Sequence, residues 1–109
     1  MADRIKLVQG DSLPIITLTL RQSDGSPLDV SDPATLVRVY FRAAGTTEVL
    51  SELPCTKVNG AQGVVSFGFF DGELDVDPGA YEGEVEVDFD GATQTVYEVL
   101  KFQVRAQFA

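Results

Sequence analysis

From Tyr81 to Phe89 apolar and acidic positions alternate almost without error. Tyr81, Gly83, Val85, Val87 and Phe89 fall on one side, and Glu82, Glu84, Glu86 and Asp88 on the other. Successive strand residues face opposite ways, so this period of two predicts a strand with one dry and one wet face. Asp90-Gly91 is a dipeptide favoured in tight hairpin turns, where the backbone must reach positive φ. Val96, Leu100, Phe102 and Val104 restore the alternation on the way back, which predicts an antiparallel hairpin.

The same reading applies to the rest of the chain. Arg4–Val8 predicts a short first strand ended by Gly10-Asp11, and Pro14–Arg21 a second, with Ile16, Leu18 and Leu20 on one face. The run Ser23–Pro27 and the pair Asp32-Pro33 are turn signals around Leu28 and Val30. Thr35–Ala43 reads as a central strand, with Val37, Val39 and Phe41 opposing Leu36, Arg38, Tyr40 and Arg42. Glu48–Leu50 and Leu53–Val58, the latter interrupted by Pro54, read as short edge strands. Asn59-Gly60 is a turn, and Gly63–Phe70 is a further strand with Val65, Phe67 and Phe69 on one side. Sustained helical spacing is absent, with room for a single helical turn over Asp71–Val76.

About seven or eight short strands bounded by turns predict an all-β, immunoglobulin-like antiparallel β-sandwich as one domain over residues 1–109. A small closed barrel is the alternative that periodicity leaves open. The segment Leu74–Tyr81, with Pro78-Gly79, stands where many sandwiches carry a tyrosine corner, a hydroxyl bonded back to upstream backbone.

Composition narrows the function. The formal charge of −9, from 17 acidic against 8 basic residues, opposes binding to nucleic acid or to an anionic membrane. No apolar run approaches the ~20 residues that span a bilayer. The first residues lack the cationic stretch and continuous apolar core of a signal peptide. With no histidine and one cysteine, Cys55, the chain lacks the commonest general base and any thiolate metal cluster. Cys55 reads as a small buried hydrophobe in a protein made in a reducing cytosol.

Gly10-Asp11-Ser12 has neither the helix nor the lysine of a phosphate loop. The carboxylates Glu82–Asp88 are neighbours on a flat face rather than a pair across a cleft, which argues against a glycosidase. Asp71, Asp75 and Asp77, with Glu73 between them, are the weak candidates for a hard cation, without the terminal bidentate glutamate of a calcium loop. These observations lead to the expectation of no enzyme activity, no cofactor and no metal.

Several segments in order resemble the N-terminal immunoglobulin-like domain of the phage baseplate upper protein family and related small virion proteins of tailed phages. They are Leu7–Leu20 with its Gly-Asp pair, the Asp-Gly-x-Pro turn within Ser23–Asp32, and Val37–Arg42. The strand Gly63–Phe67, the turn Pro78–Tyr81 and the glutamate-rich hairpin Glu82–Val104 follow. The family continues into a long fibrous region that the 109 residues do not include. The resemblance implies a structural protein of the virion, made in the host cytoplasm, which docks on other phage structural proteins of the tail or baseplate. It also implies homo-oligomers within the particle. A capsid decoration or other head-associated protein of the same fold is the alternative.

A carbohydrate-binding sandwich is a rival from another class, weakened by the absence of tryptophan and the presence of only three tyrosines. Candidate contact residues are Ile5, Leu7, Arg38, Tyr40, Arg42, Arg105 and Phe108.

Overall fold

The computed structural model describes residues 4–96 and 99–108. Nine strands appear in chain order: β1 (Ile5–Val8), β2 (Ile16–Thr19), β3 (Thr35–Ala43), β4 (Ser51–Pro54), β5 (Thr56–Asn59), β6 (Val64–Phe67), β7 (Gly79–Phe89), β8 (Thr93–Thr95) and β9 (Leu100–Arg105). They form two sheets. The larger has the order β1-β9-β7-β3-β4, with β8 also on β7, and the smaller has the order β2-β6-β5. In the lettering of immunoglobulin sandwiches, β2, β6 and β5 hold positions B, E and D, while β9, β7, β3 and β4 hold G, F, C and C′. The protein is therefore an all-β sandwich, and the separate sheets rule out the closed barrel.

The buried faces are those the alternation predicts. Val37, Val39 and Phe41 of β3 and Tyr81, Val85 and Val87 of β7 lie in one core with Val65 and Phe67 of β6 and Phe102 and Val104 of β9. The two sheets are joined by aromatic packing. Phe41 stacks on Tyr81 at 5.1 Å between centroids and meets Phe69 and Phe102 edge-on, each at 5.5 Å. Phe67 and Phe69 also meet Phe102 edge-on. Such pairs add about 0.5–1.5 kcal/mol each beyond burial of area. The cluster has room because position 83 is glycine: a Cβ there would stand 2.8 Å from Cε2 of Phe102 and 3.0 Å from Cγ1 of Val39.

The tyrosine corner is present. Tyr81, buried at the start of β7, donates its hydroxyl to the backbone oxygen of Asp77 at 2.5 Å. This bond ties the crossing loop to the strand that it feeds, while Leu74 plugs that loop into the core.

Several expectations are corrected. The edge strand placed at Glu48–Leu50 begins at Ser51: the chain leaves β3 in a turn at Ala43–Thr46 and rejoins it only at Leu50, whose amide donates to the Phe41 oxygen. Leu53–Val58 divides between two sheets, Leu53 in β4 and Thr56–Val58 in β5. Pro54 is tolerated because β4 is an edge strand. No helical turn forms at Asp71–Val76, where Gly72 takes φ +79° and turns the chain. The single 3-10 turn among the described residues is Gly60–Gln62.

The sandwich is not wholly antiparallel, since β1 runs parallel to β9, Ile5 opposite Phe102. The count reaches nine because the return half of the terminal hairpin is split. β8 pairs Glu86 with Thr95, whereas β9 pairs Gly83 with Leu100, so two extra residues are taken up between them. The break includes residues 97 and 98, which lie outside the described residues.

Candidate functional site

The sequence-predicted face Arg38/Tyr40/Arg42 lies on the outer side of the larger sheet, and register brings it against the acidic side of β7. Arg38 stands opposite Glu86, Tyr40 opposite Glu84, and Arg42 opposite Glu82. Arg38 is within 3.5 Å of Glu86, 3.7 Å of Glu52 and 3.8 Å of Asp88. Arg42 reaches Glu82 at 3.3 Å, and the Tyr40 hydroxyl donates to Glu86 Oε1 at 3.1 Å. Both cations are thus neutralised within their own sheet. Each part-exposed pair contributes only about 0–1 kcal/mol, so the ladder mainly sets register and keeps the face wet. Among the described residues Glu84 is the one β7 carboxylate of this face outside the ion pairs, and a pocket of about 440 Å³ lined by Leu36, Arg38, Glu52 and Pro54 lies at the β4 edge.

The other predicted residues separate. Leu7 is buried and pairs with Val104, and Ile5 packs against the same core, so both serve the interior; Leu7 presents no side chain to a partner. Arg105 and Phe108 are exposed, with the guanidinium carbon 5.0 Å above the ring centre. Asp71, Asp75 and Asp77 are exposed, and among the described residues no three His, Cys, Asp or Glu side chains gather as a metal site requires. The loop instead bonds within itself: the Asp71 amide donates to Glu73 Oε1, and the Asp75 amide to the Gly72 oxygen. Cys55 is half-buried, and burial pushes its thiol up to about 12, which leaves it a poor nucleophile at neutral pH.

A groove of about 740 Å³ opens beside β2 where the return strand breaks. Its apolar floor is Leu18, Leu20, Val85, Val96 and Leu100, without an aromatic ring among the described residues.

The feature that periodicity missed is at one end of the sandwich. The registers place the C-terminal ends of β1, β3 and β9 beside the N-terminal ends of β4 and β7. The N-terminal end of β2 and the C-terminal end of β6 meet in the other sheet, and loop 68–78 carries the chain from β6 into β7 at that end. Loops 9–15, 44–50 and 68–78 and segment 106–108 therefore gather together. Loops 9–15 and 68–78 and segment 106–108 are knitted by bonds from the Gly10 amide to the Leu74 oxygen, Gln9 Nε2 to the Val76 oxygen and Gln107 Nε2 to Asp11 Oδ1. Loop 44–50 instead bonds back to its own sheet, the Ala44 amide to the Ala80 oxygen and the Leu50 amide to the Phe41 oxygen.

Of the eight large apolar side chains exposed among the described residues, six are on these loops: Leu13, Ile15, Val49, Leu50, Phe70 and Phe108. Two doublets signal it in the sequence. In Val49-Leu50 and Phe69-Phe70, two adjacent apolar residues follow one another; Phe69 is buried in the core, while Val49, Leu50 and Phe70 are exposed.

No family model matches the chain, and no curated protein matches it in sequence.

Proposed function

We propose that this protein is a non-enzymatic docking module of a tailed-phage particle, in the tail or baseplate, built to hold neighbouring structural proteins. The observation that carries the reading is the collection of six exposed large apolar side chains at one end of the sandwich. Exposed apolar surface of this kind marks a contact site more readily than a catalytic one. The family resemblance, carried by the order of segments from Leu7 to Arg42 and from Gly63 to Val104, suggests the particle. Repetition around a symmetric assembly lets many modest contacts hold together.

Mass spectrometry of particles purified by density gradient tests this reading. The chain should co-purify in fixed stoichiometry with the tail proteins. Its absence from complete particles would refute the proposal, and immunogold labelling confined to the head would move it to the capsid.

A further inference from the structure

The apolar end is also a place of unbalanced charge. Asp11, Glu48, Asp71, Glu73, Asp75 and Asp77 are on its loops, and none belongs to an ion pair among the described residues. Of the cations nearby, Arg42 is engaged by Glu82, and Arg105 is turned over Phe108 while donating to the Ala106 oxygen. The apolar residues Leu13, Ile15, Val49, Leu50, Phe70 and Phe108 thus share their end with carboxylates that no ion pair among the described residues neutralises.

The opposite end is acidic too, through Asp29, Asp32 and Asp90, but it carries none of these six apolar side chains. There Asp29 is engaged in its own turn, accepting from both the amide and the hydroxyl of Ser31. The two ends are therefore chemically distinct.

We infer that the end formed by loops 9–15, 44–50 and 68–78 and segment 106–108 docks a protein surface that is apolar at its centre and basic at its rim. The inference rests on the docking reading above and names the chemistry of the partner. Complementary charge steers encounter and rejects wrong partners, and apolar contact supplies the affinity. A second copy meeting end to end would set carboxylates against carboxylates within about a Debye length, ~10 Å at 0.1 M salt. An anionic lipid surface would be repelled for the same reason.

Synthetic twelve-residue peptides test this directly, one alternating Lys and Leu, one Glu and Leu, one Lys and Ser. Each is titrated into the full isotope-labelled chain and followed by amide chemical shifts. The Lys/Leu peptide should move amides of residues 10–15, 46–50, 70–77 and 105–108, with the Glu/Leu peptide silent and the Lys/Ser peptide at least about tenfold weaker. Combining Ile15→Ser with Phe70→Ser should weaken Lys/Leu binding at least tenfold, whereas Leu36→Ser on the charged face should leave it unchanged. Amide spectra of each variant establish that it is folded.

Shifts centred on β3 and β7 or on the Asp29/Asp90 end would overturn the inference, as would equal binding of Glu/Leu or an unaffected double variant. So would end-to-end dimers in sedimentation that Phe70→Ser abolishes, or binding to phosphatidylglycerol vesicles. Particle co-purification is independent of these measurements. A chain found in particles whose peptide contacts map elsewhere refutes the surface and keeps the docking reading, and the converse result does the reverse.

Discussion

Replacing Tyr81 by phenylalanine removes one oxygen and little else. The ring of Tyr81 lies nearly parallel to that of Phe41, at 13° between planes, and the Tyr81→Phe variant would keep this stacking and its burial. What is lost is the hydroxyl donor to the Asp77 oxygen. A net protein hydrogen bond contributes about 0.5–1.5 kcal/mol, and an acceptor left unpaired costs about 1–3 kcal/mol. Water reaches the exposed Asp77, so the expected loss is the lower part of that range, about 1–2 kcal/mol.

For a chain of 109 residues, an unfolding entropy of ~2.1 cal/mol/K per residue makes each kcal/mol worth roughly 4 °C in Tm. Tyr81→Phe should therefore melt about 4–9 °C lower by far-UV circular dichroism, and Tyr81→Ala should lose about 3–5 kcal/mol by vacating the core as well. The reasoning is refuted if the Tyr81→Phe variant loses less than about 0.3 kcal/mol, or as much as Tyr81→Ala.

The same residue sets an alkaline limit. Burial, and then the charge of Asp77, raise the Tyr81 phenol above 10.0. The folded state thus keeps a proton that the unfolded chain releases, so this stability is fully present below pH ~10 and is lost as pH rises through the folded value. Urea midpoints should fall above pH ~10 in the native chain and fall less in Tyr81→Phe.

Further outcomes follow from other contacts. Gly83→Ala should cost about 1–3 kcal/mol by overpacking against Phe102, and Phe102→Leu should recover part of that cost in a double-mutant cycle; simple additivity would sink the explanation. Gly63→Ala should be worse: Gly63 sits at φ +74°, where a Cβ would fall 2.5 Å from the Leu20 oxygen, so soluble folded protein in normal yield would contradict the structure. Cys55, with its thiol pushed up to about 12, should react with iodoacetamide at pH ~8 at least about 100-fold more slowly in the folded chain than in urea. Arg38→Met should change stability by no more than about 1 kcal/mol, with an effect that shrinks in ~1 M salt.

The sheets are legible in the sequence because burial follows strict alternation. Thr35–Ala43 coincides with β3, and Tyr81–Phe89 with most of β7, whose wet and dry sides fall as predicted. Pro78-Gly79-Ala80-Tyr81 also announces its corner, since a tyrosine placed just past a turn has backbone within reach. The parallel pairing of β1 is hidden, because alternation records which face is buried and says nothing about a neighbour's direction.

Leu7 illustrates the limit of choosing contact residues by position: an apolar residue in a short first strand reads as surface, although Val104 lies beside it and the core covers it. The cations Arg38 and Arg42 look available only until register sets Glu86 and Glu82 beside them. Conversely, Val49 and Phe70 read as parts of strands that stop short of them, Leu13 precedes its strand, and only the folding together of three distant loops gives them a common end.

The parallel pair of β1 and β9 joins the first of these strands to the last, Ile5 beside Phe102 and Val8 beside Arg105. During synthesis β1 therefore emerges long before its partner has been translated. It must wait beside the ribosome with Leu7 uncovered, while the hairpins β3–β4 and β5–β6 have both halves at hand. Closure of the large sheet waits for β9, so a nascent chain stalled before Leu100 would be a sandwich with an open seam. Such a chain would be a substrate for chaperones and proteases, and only molecules that have completed β9 would leave with that seam sealed.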